Sequence, residues 1–193
     1  MNTKGKTLEI VMCAIISALV LILQLMGAFI KFGPFSVTIV LVPIVVGVAS
    51  CGKKYGWWFG LVFGLSVLIS GDAAIFLEWN PAGTIITVLA KGILCGVCAG
   101  LVYDAIRNKS KWLAILLASI TCPVVNTGVF LVGCKVFFMG LIREWANGEQ
   151  FVGNIYVYLI VSVVLMNFIS ELVSSVVFSP VVLRLLEIRN KQK

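Results

Sequence analysis

Lys91 lies about two turns inside a long apolar segment, and Asn126, Thr127, Asn167 and Glu171 lie within other apolar segments of the chain. An ammonium pairs with carboxylates, an amide and a hydroxyl both donate and accept, and a buried carboxylate accepts hydrogen bonds or titrates. Together these groups have the chemistry to recognise a small polar solute. A lysine at membrane depth costs several kcal/mol unless it snorkels, pairs or faces water. Thr84 and Thr87 precede it on the same helical face, and Asn167 and Glu171 stand four residues apart, joined by Ser174. Within 121–128, Thr-Cys-Pro-Val-Val-Asn-Thr-Gly, Pro123 removes a donor from the helix ladder and frees a carbonyl one turn back. Asn126 and Thr127 add donors and acceptors that hydrocarbon cannot satisfy. The competing role for each of these residues is helix–helix glue, or snorkelling for Lys91.

The elements that must hold these groups follow from composition. The 193 residues are 61% hydrophobic and 12% charged, with a mean hydropathy of +1.11, which excludes a water-soluble domain. At roughly 20 apolar residues per crossing, the length accommodates about six spans and no second soluble domain. The expected fold is an all-α membrane protein, six transmembrane helices in a compact bundle, forming a single integral membrane domain over 1–193. The helices are expected at 8–30, 37–50, 56–69, 85–106, 112–139 and 154–186. There is no histidine and no G-x-x-x-x-G-K-[ST] loop, so no catalytic residue, metal or cofactor is assigned, and any ATP is hydrolysed by another subunit. The six cysteines are scattered through apolar runs and read as small buried residues. Cys95-x-x-Cys98 lacks partner ligands and carries no metal site. Lys4 and Lys6 precede a run too long for a typical signal core, which marks a retained first helix.

Small residues mark close helix contacts: Ala14-x-x-x-Ala18 on the first helix, Gly56, Gly60 and Gly64 on the third, Gly92, Gly96 and Gly100 on the fourth. A tight turn is expected at 31–36. The longest polar interruption, 70–84, contains Asp72, Glu78, Trp79, Asn80 and Pro81 around the apolar Ile75-Phe76-Leu77. It is either an interfacial loop anchored by Trp79 or a lid over a site at the membrane surface. With the N-terminus inside, Lys53, Lys54, Arg107, Lys109, Lys111, Arg184 and Arg189 are cytoplasmic, while the opposite side holds Lys31, Arg143 and four acids. That asymmetry puts both termini in the cytoplasm and accounts for the +7 charge without nucleic acid.

Several runs resemble the substrate-binding S components of energy-coupling factor (ECF) vitamin transporters. They are Ala14-x-x-x-Ala18, Phe35-Ser-Val-Thr-Ile-Val-Leu-Val-Pro-Ile-Val-Val-Gly47, the glycine-rich 52–64, Asn80-Pro81, Lys91-Gly92 and Pro123-Val-Val-Asn-Thr-Gly128. The Thr-Ile-x-x-x-Pro-x-x-x-Gly helix and the Asn-Thr pair look most like the pantothenate-type branch. Cys51-Gly52-Lys53-Lys54 stands where a Gly-Pro turn is expected. The resemblance implies a protein of the bacterial cytoplasmic membrane that captures a vitamin from outside. It would dock on a transmembrane coupling subunit through Ala14 and Ala18, and reorient to release its cargo with the help of two cytoplasmic ATPases. Such a chain catalyses no covalent chemistry. Its expected substrate-binding residues are Asn126, Thr127, Lys91, Asn167, Asn80, Trp79, Thr87 and Glu171. Lys91 suits the carboxylate of pantothenate, and the amides and hydroxyls suit its remaining polar groups. Riboflavin or folate stays open, because Trp79, Phe130 and Tyr158 offer stacking surfaces. The alternative from another class is a stand-alone proton-coupled secondary transporter titrating Lys91 and Glu171, against which stand the absence of a visible internal repeat and the few intramembrane acids.

Overall fold

The longest apolar windows become the longest helices. The structure, a computed structural model, describes residues 3–27, 31–32, 35–36, 39–148 and 168–191. Three of its helices are long and apolar enough to cross a membrane: α1 (Thr3–Gly27), α5 (Pro81–Ile106) and α6 (Lys111–Phe137). Between α1 and α5 come β1 (Lys31–Phe32), β2 (Phe35–Ser36), α2 (Leu41–Cys51), a 3-10 turn at Lys53–Tyr55, α3 (Gly56–Ile69) and α4 (Ala74–Trp79). After α6 come α7 (Met139–Gly148) and α8 (Ile169–Lys191). Apart from the two-residue antiparallel ladder β1–β2, which closes the turn expected at 31–36, the described residues are helices and their connections.

Local chemistry sets the boundaries. The Asn80 side chain accepts from the Gly83 N–H at 2.9 Å, and Pro81 fills the first helical position, so α5 begins at 81 rather than 85. The interruption expected over 70–84 is therefore mostly ordered helix. It consists of a turn containing Gly71, whose φ of 82° favours glycine, then α4, then the cap. The Ser110 hydroxyl caps α6 by accepting from the Leu113 N–H, and α6 continues through Pro123. The connection expected at 141–153 is helical as far as Gly148. Residues 154–167, the first part of the expected sixth helix, lie outside the described residues, and Asn167 with them.

α2 is apolar on every side and forms the centre. Leu41, Ile44, Val45 and Val48 are fully buried, and the helix touches α1, α5, α6 and α8. Against this core α3 and α5 meet backbone to backbone: Gly56 faces Gly96, Gly60 faces Gly92, and Gly64 faces Val88. The outer faces are strongly apolar, with Ile10, Ile15, Ile22 and Met26 of α1, Ile86 and Leu101 of α5, and Val132 and Val136 of α6 exposed. So continuous an apolar exterior is a lipid-facing surface. The two ends of the bundle differ. At one, Lys54 pairs with Glu9 at 3.2 Å, and Asp104 with Lys53 at 2.7 Å and Arg107 at 2.9 Å. The Glu9 carboxylate also raises the Lys54 ammonium above its usual range. At the other, the Gln24 amide of α1 donates to Asp72 in the turn before α4. Three of the basic residues expected on the cytoplasmic side thus share one end.

Candidate functional site

Lys91 is partly buried on α5, with its ammonium 5.3 Å from the ring centroid of Phe130 on α6 and 5.6 Å from that of Phe63 on α3. Two ring faces stabilise a cation electrostatically without neutralising it. Among the described residues, no carboxylate pairs with Lys91. One helical turn back along α6 from Phe130, Asn126 is 1% exposed, and its Nδ2 donates to Oε2 of Glu171 on α8 at 3.0 Å. Glu171 is itself 3% exposed. Among the described residues, the Asn126 carbonyl oxygen has no hydrogen-bond partner, and neither do the buried hydroxyls of Thr87, Thr127 and Ser175. A buried polar atom left unsatisfied costs about 1–3 kcal/mol, and these four are carried by three neighbouring helices, α5, α6 and α8.

The expected site residues fall into two groups. Lys91, Asn126, Thr127, Thr87 and Glu171 are all carried by α5, α6 and α8, which pack on one another in chain order. Thr87 is the most confined of these, since a Cβ on Gly133 would strike its hydroxyl and methyl. Trp79 and Asn80 lie instead where α4 meets α5. Asn80 spends its carbonyl oxygen on the α5 cap, and Trp79 is half exposed with its ring edge over Gly140. Thr84 is satisfied within the helix, donating to the Asn80 carbonyl at 2.8 Å. Ser174 likewise bonds back to the Glu171 carbonyl at 3.0 Å, and the buried Ser179 to the Val176 carbonyl at 2.7 Å, leaving Ser175 as the buried hydroxyl of α8 without a partner among the described residues.

The segment 70–84 reaches this region through Phe76. Its ring meets Phe130 edge-on at 5.6 Å, Phe138 at 5.0 Å and Trp145 at 5.7 Å, so α4 is seated on the same ring that flanks Lys91. Phe63, Phe76 and Ser175 were not expected from sequence. Ser175 carried a usable signal, four residues after Glu171, whereas an aromatic in an apolar run carries none.

On α1, Ala14 and Ala18 are exposed, with no helix among the described residues covering them. They line an open apolar groove of about 670 Å³ between α1 and α3, walled by Tyr55, Trp57 and Trp58. The Trp58 indole donates to the Ser17 hydroxyl at 3.1 Å, and Ser17 donates to the Cys13 carbonyl at 2.8 Å, which fixes the groove wall to α1.

A helical bundle with a strongly apolar exterior, three helices long enough to cross a bilayer and buried polar groups on α5, α6 and α8 defines an integral membrane protein. Among the described residues, no cluster of metal-ligating side chains occurs. Residues 8–182 match the family described as ECF transporter, substrate-specific component, and the chain belongs to that family of transporter subunits. It is also 25% identical over 194 residues to the pantothenic acid transporter PanT of Lactococcus lactis subsp. cremoris (strain MG1363), covering 91% of this chain and 92% of that one.

Proposed function

We propose that this chain is the vitamin-binding subunit of an ATP-driven ECF transporter and that its substrate is pantothenate. In this reading residues 1–193 form one domain of six transmembrane helices in the bacterial cytoplasmic membrane, with both termini inside. The observation that carries the substrate is Lys91, a cation held between two rings with no acidic partner among the described residues. A carboxylate entering from outside supplies that partner, and the open valences of Asn126 and Thr127 suit the hydroxyl and amide groups of pantothenate. The similarity to a pantothenic acid transporter supports the same choice. The α4 segment acts as the lid, held shut by Phe76, and the Ala14–Ala18 groove receives the coupling subunit, on which the protein reorients.

The direct test is mass spectrometry of ligand retained by the purified protein, followed by equilibrium binding of pantothenate. Retained pantothenate and uptake that requires ATPase partners are expected. Retained riboflavin or folate would replace the substrate, and ion-gradient-driven uptake by this chain alone would sink the ECF mechanism.

Two variants probe the parts separately. Asn126→Ala should weaken pantothenate binding by about tenfold or more without loss of folding, since roughly 1.4 kcal/mol is one decade and one buried hydrogen bond contributes on that order. An unchanged Kd would return Asn126 to helix packing. Ala14→Trp or Ala18→Trp should fill the groove, abolish co-purification with a coupling subunit and spare vitamin binding. Intact co-purification would show that docking occurs elsewhere.

A further inference from the structure

We infer that Glu171 is a positioning residue that orients the Asn126 amide, so that the substrate meets its carbonyl oxygen and not its NH2 group. This rests on the substrate reading given above.

A primary amide can turn either edge toward a ligand, and the two edges demand opposite chemistry, a donor or an acceptor. Here the choice is made by a neighbour 45 residues away in sequence. Oε2 of Glu171 accepts from Nδ2 of Asn126 at 3.0 Å, and both side chains are almost completely buried. Turning the amide over would bring its carbonyl oxygen against the carboxylate oxygen, replacing a hydrogen bond by repulsion in a low-dielectric interior. The NH2 edge is therefore committed to Glu171, and Oδ1 is left buried without a partner among the described residues.

The unpartnered Oδ1 accepts only. Lys91, whose ammonium lies against the ring of Phe130 one turn along α6, donates only. The pair accordingly selects a solute with a carboxylate at one end and a hydroxyl or amide N–H further along. An acceptor facing Asn126 would be rejected, because it would leave two buried acceptors opposed. Glu171 thus acts on the ligand through the orientation of the amide.

An exchange of the two groups tests this. Asn126→Asp alone sets a carboxylate against Glu171, and its Kd for pantothenate should rise by about tenfold or more. Adding Glu171→Gln restores the contact with donor and acceptor reversed, keeps the same formal charge, and still leaves an acceptor oxygen at position 126. The double variant should regain part of the lost affinity, the residual coming from the carboxylate that now stands at position 126 facing an anionic ligand. The Kd of folded protein and the Tm are measured on the same samples. Purely structural pairing predicts that Tm falls and recovers while Kd stays flat, and that result overturns the inference. So does a double variant that regains Tm without regaining affinity. Wild-type protein that fails to bind pantothenate would overturn the substrate reading and this inference with it. A wild type that binds, with no recovery in the exchange, overturns the inference alone.

Discussion

Gly60→Leu should prevent accumulation of folded protein. A Cβ at Gly60 would land on the backbone carbonyl of Gly92, and a Cβ at Gly92 would land on that of Gly60, so neither obstacle is a side chain that can swing away. Overpacking a core against side chains costs typically about 1–3 kcal/mol, and displacing two helix backbones costs more. The consequence spreads, because Gly56 against Gly96 and Gly64 against Val88 depend on the same approach of α3 to α5. Loss of a monodisperse peak in size-exclusion chromatography is expected for Gly60→Leu, with a clearly lowered Tm for Gly60→Ala. Gly128 is the control. It sits in the middle of α6 with nothing within 4 Å of a built Cβ, so Gly128→Ala should be neutral or stabilising by about 0.5–1 kcal/mol through helix propensity. A Gly60→Leu protein with wild-type Tm would mean that the two helices do not touch there.

Lys91→Met should reduce pantothenate affinity by about a hundredfold, since truncating one partner of a buried charge pair costs roughly 2–5 kcal/mol and each 1.4 kcal/mol is a decade. The fold should survive. Methionine packs well between the rings of Phe63 and Phe130, and removing a cation from membrane depth lifts a desolvation cost. The matching ligand change sharpens the test: an analogue with an alcohol in place of the carboxylate should bind the wild type weakly and be nearly indifferent to the substitution. Equal pantothenate affinity in both proteins would reduce Lys91 to a cation parked between aromatic rings.

The glycine spacings were readable because a small-residue strip has one common use, close backbone approach, and α3 and α5 use it so. Ala14 and Ala18 have the same spacing, yet the structure leaves them open on a groove. Spacing alone does not say whether the approaching helix belongs to the same chain. The segment 70–84 misled for a different reason. Its acids, asparagine and proline look like a loop, but Asn80-Pro81 is also a helix start, and the rings that Phe76 meets, Phe130, Phe138 and Trp145, are on α6, at its end and on α7. Trp79 and Asn80, both expected at the substrate, make an α7 contact and cap α5.

Residence in a bilayer, the all-helical class, the absence of a nucleotide loop and the polar residues worth testing were determined by the sequence itself. Each follows from residue type and near-neighbour spacing, which act within a turn or two. Which polar groups meet was decided only by the tertiary structure. Asn126 and Glu171 are 45 residues apart, and Gln24 and Asp72 are 48 apart. Partnership across such distances is set by how α1, α5, α6 and α8 pack around α2, a property of the whole bundle with no local signature. The same packing leaves one edge of the Asn126 amide satisfied and the other open among the described residues.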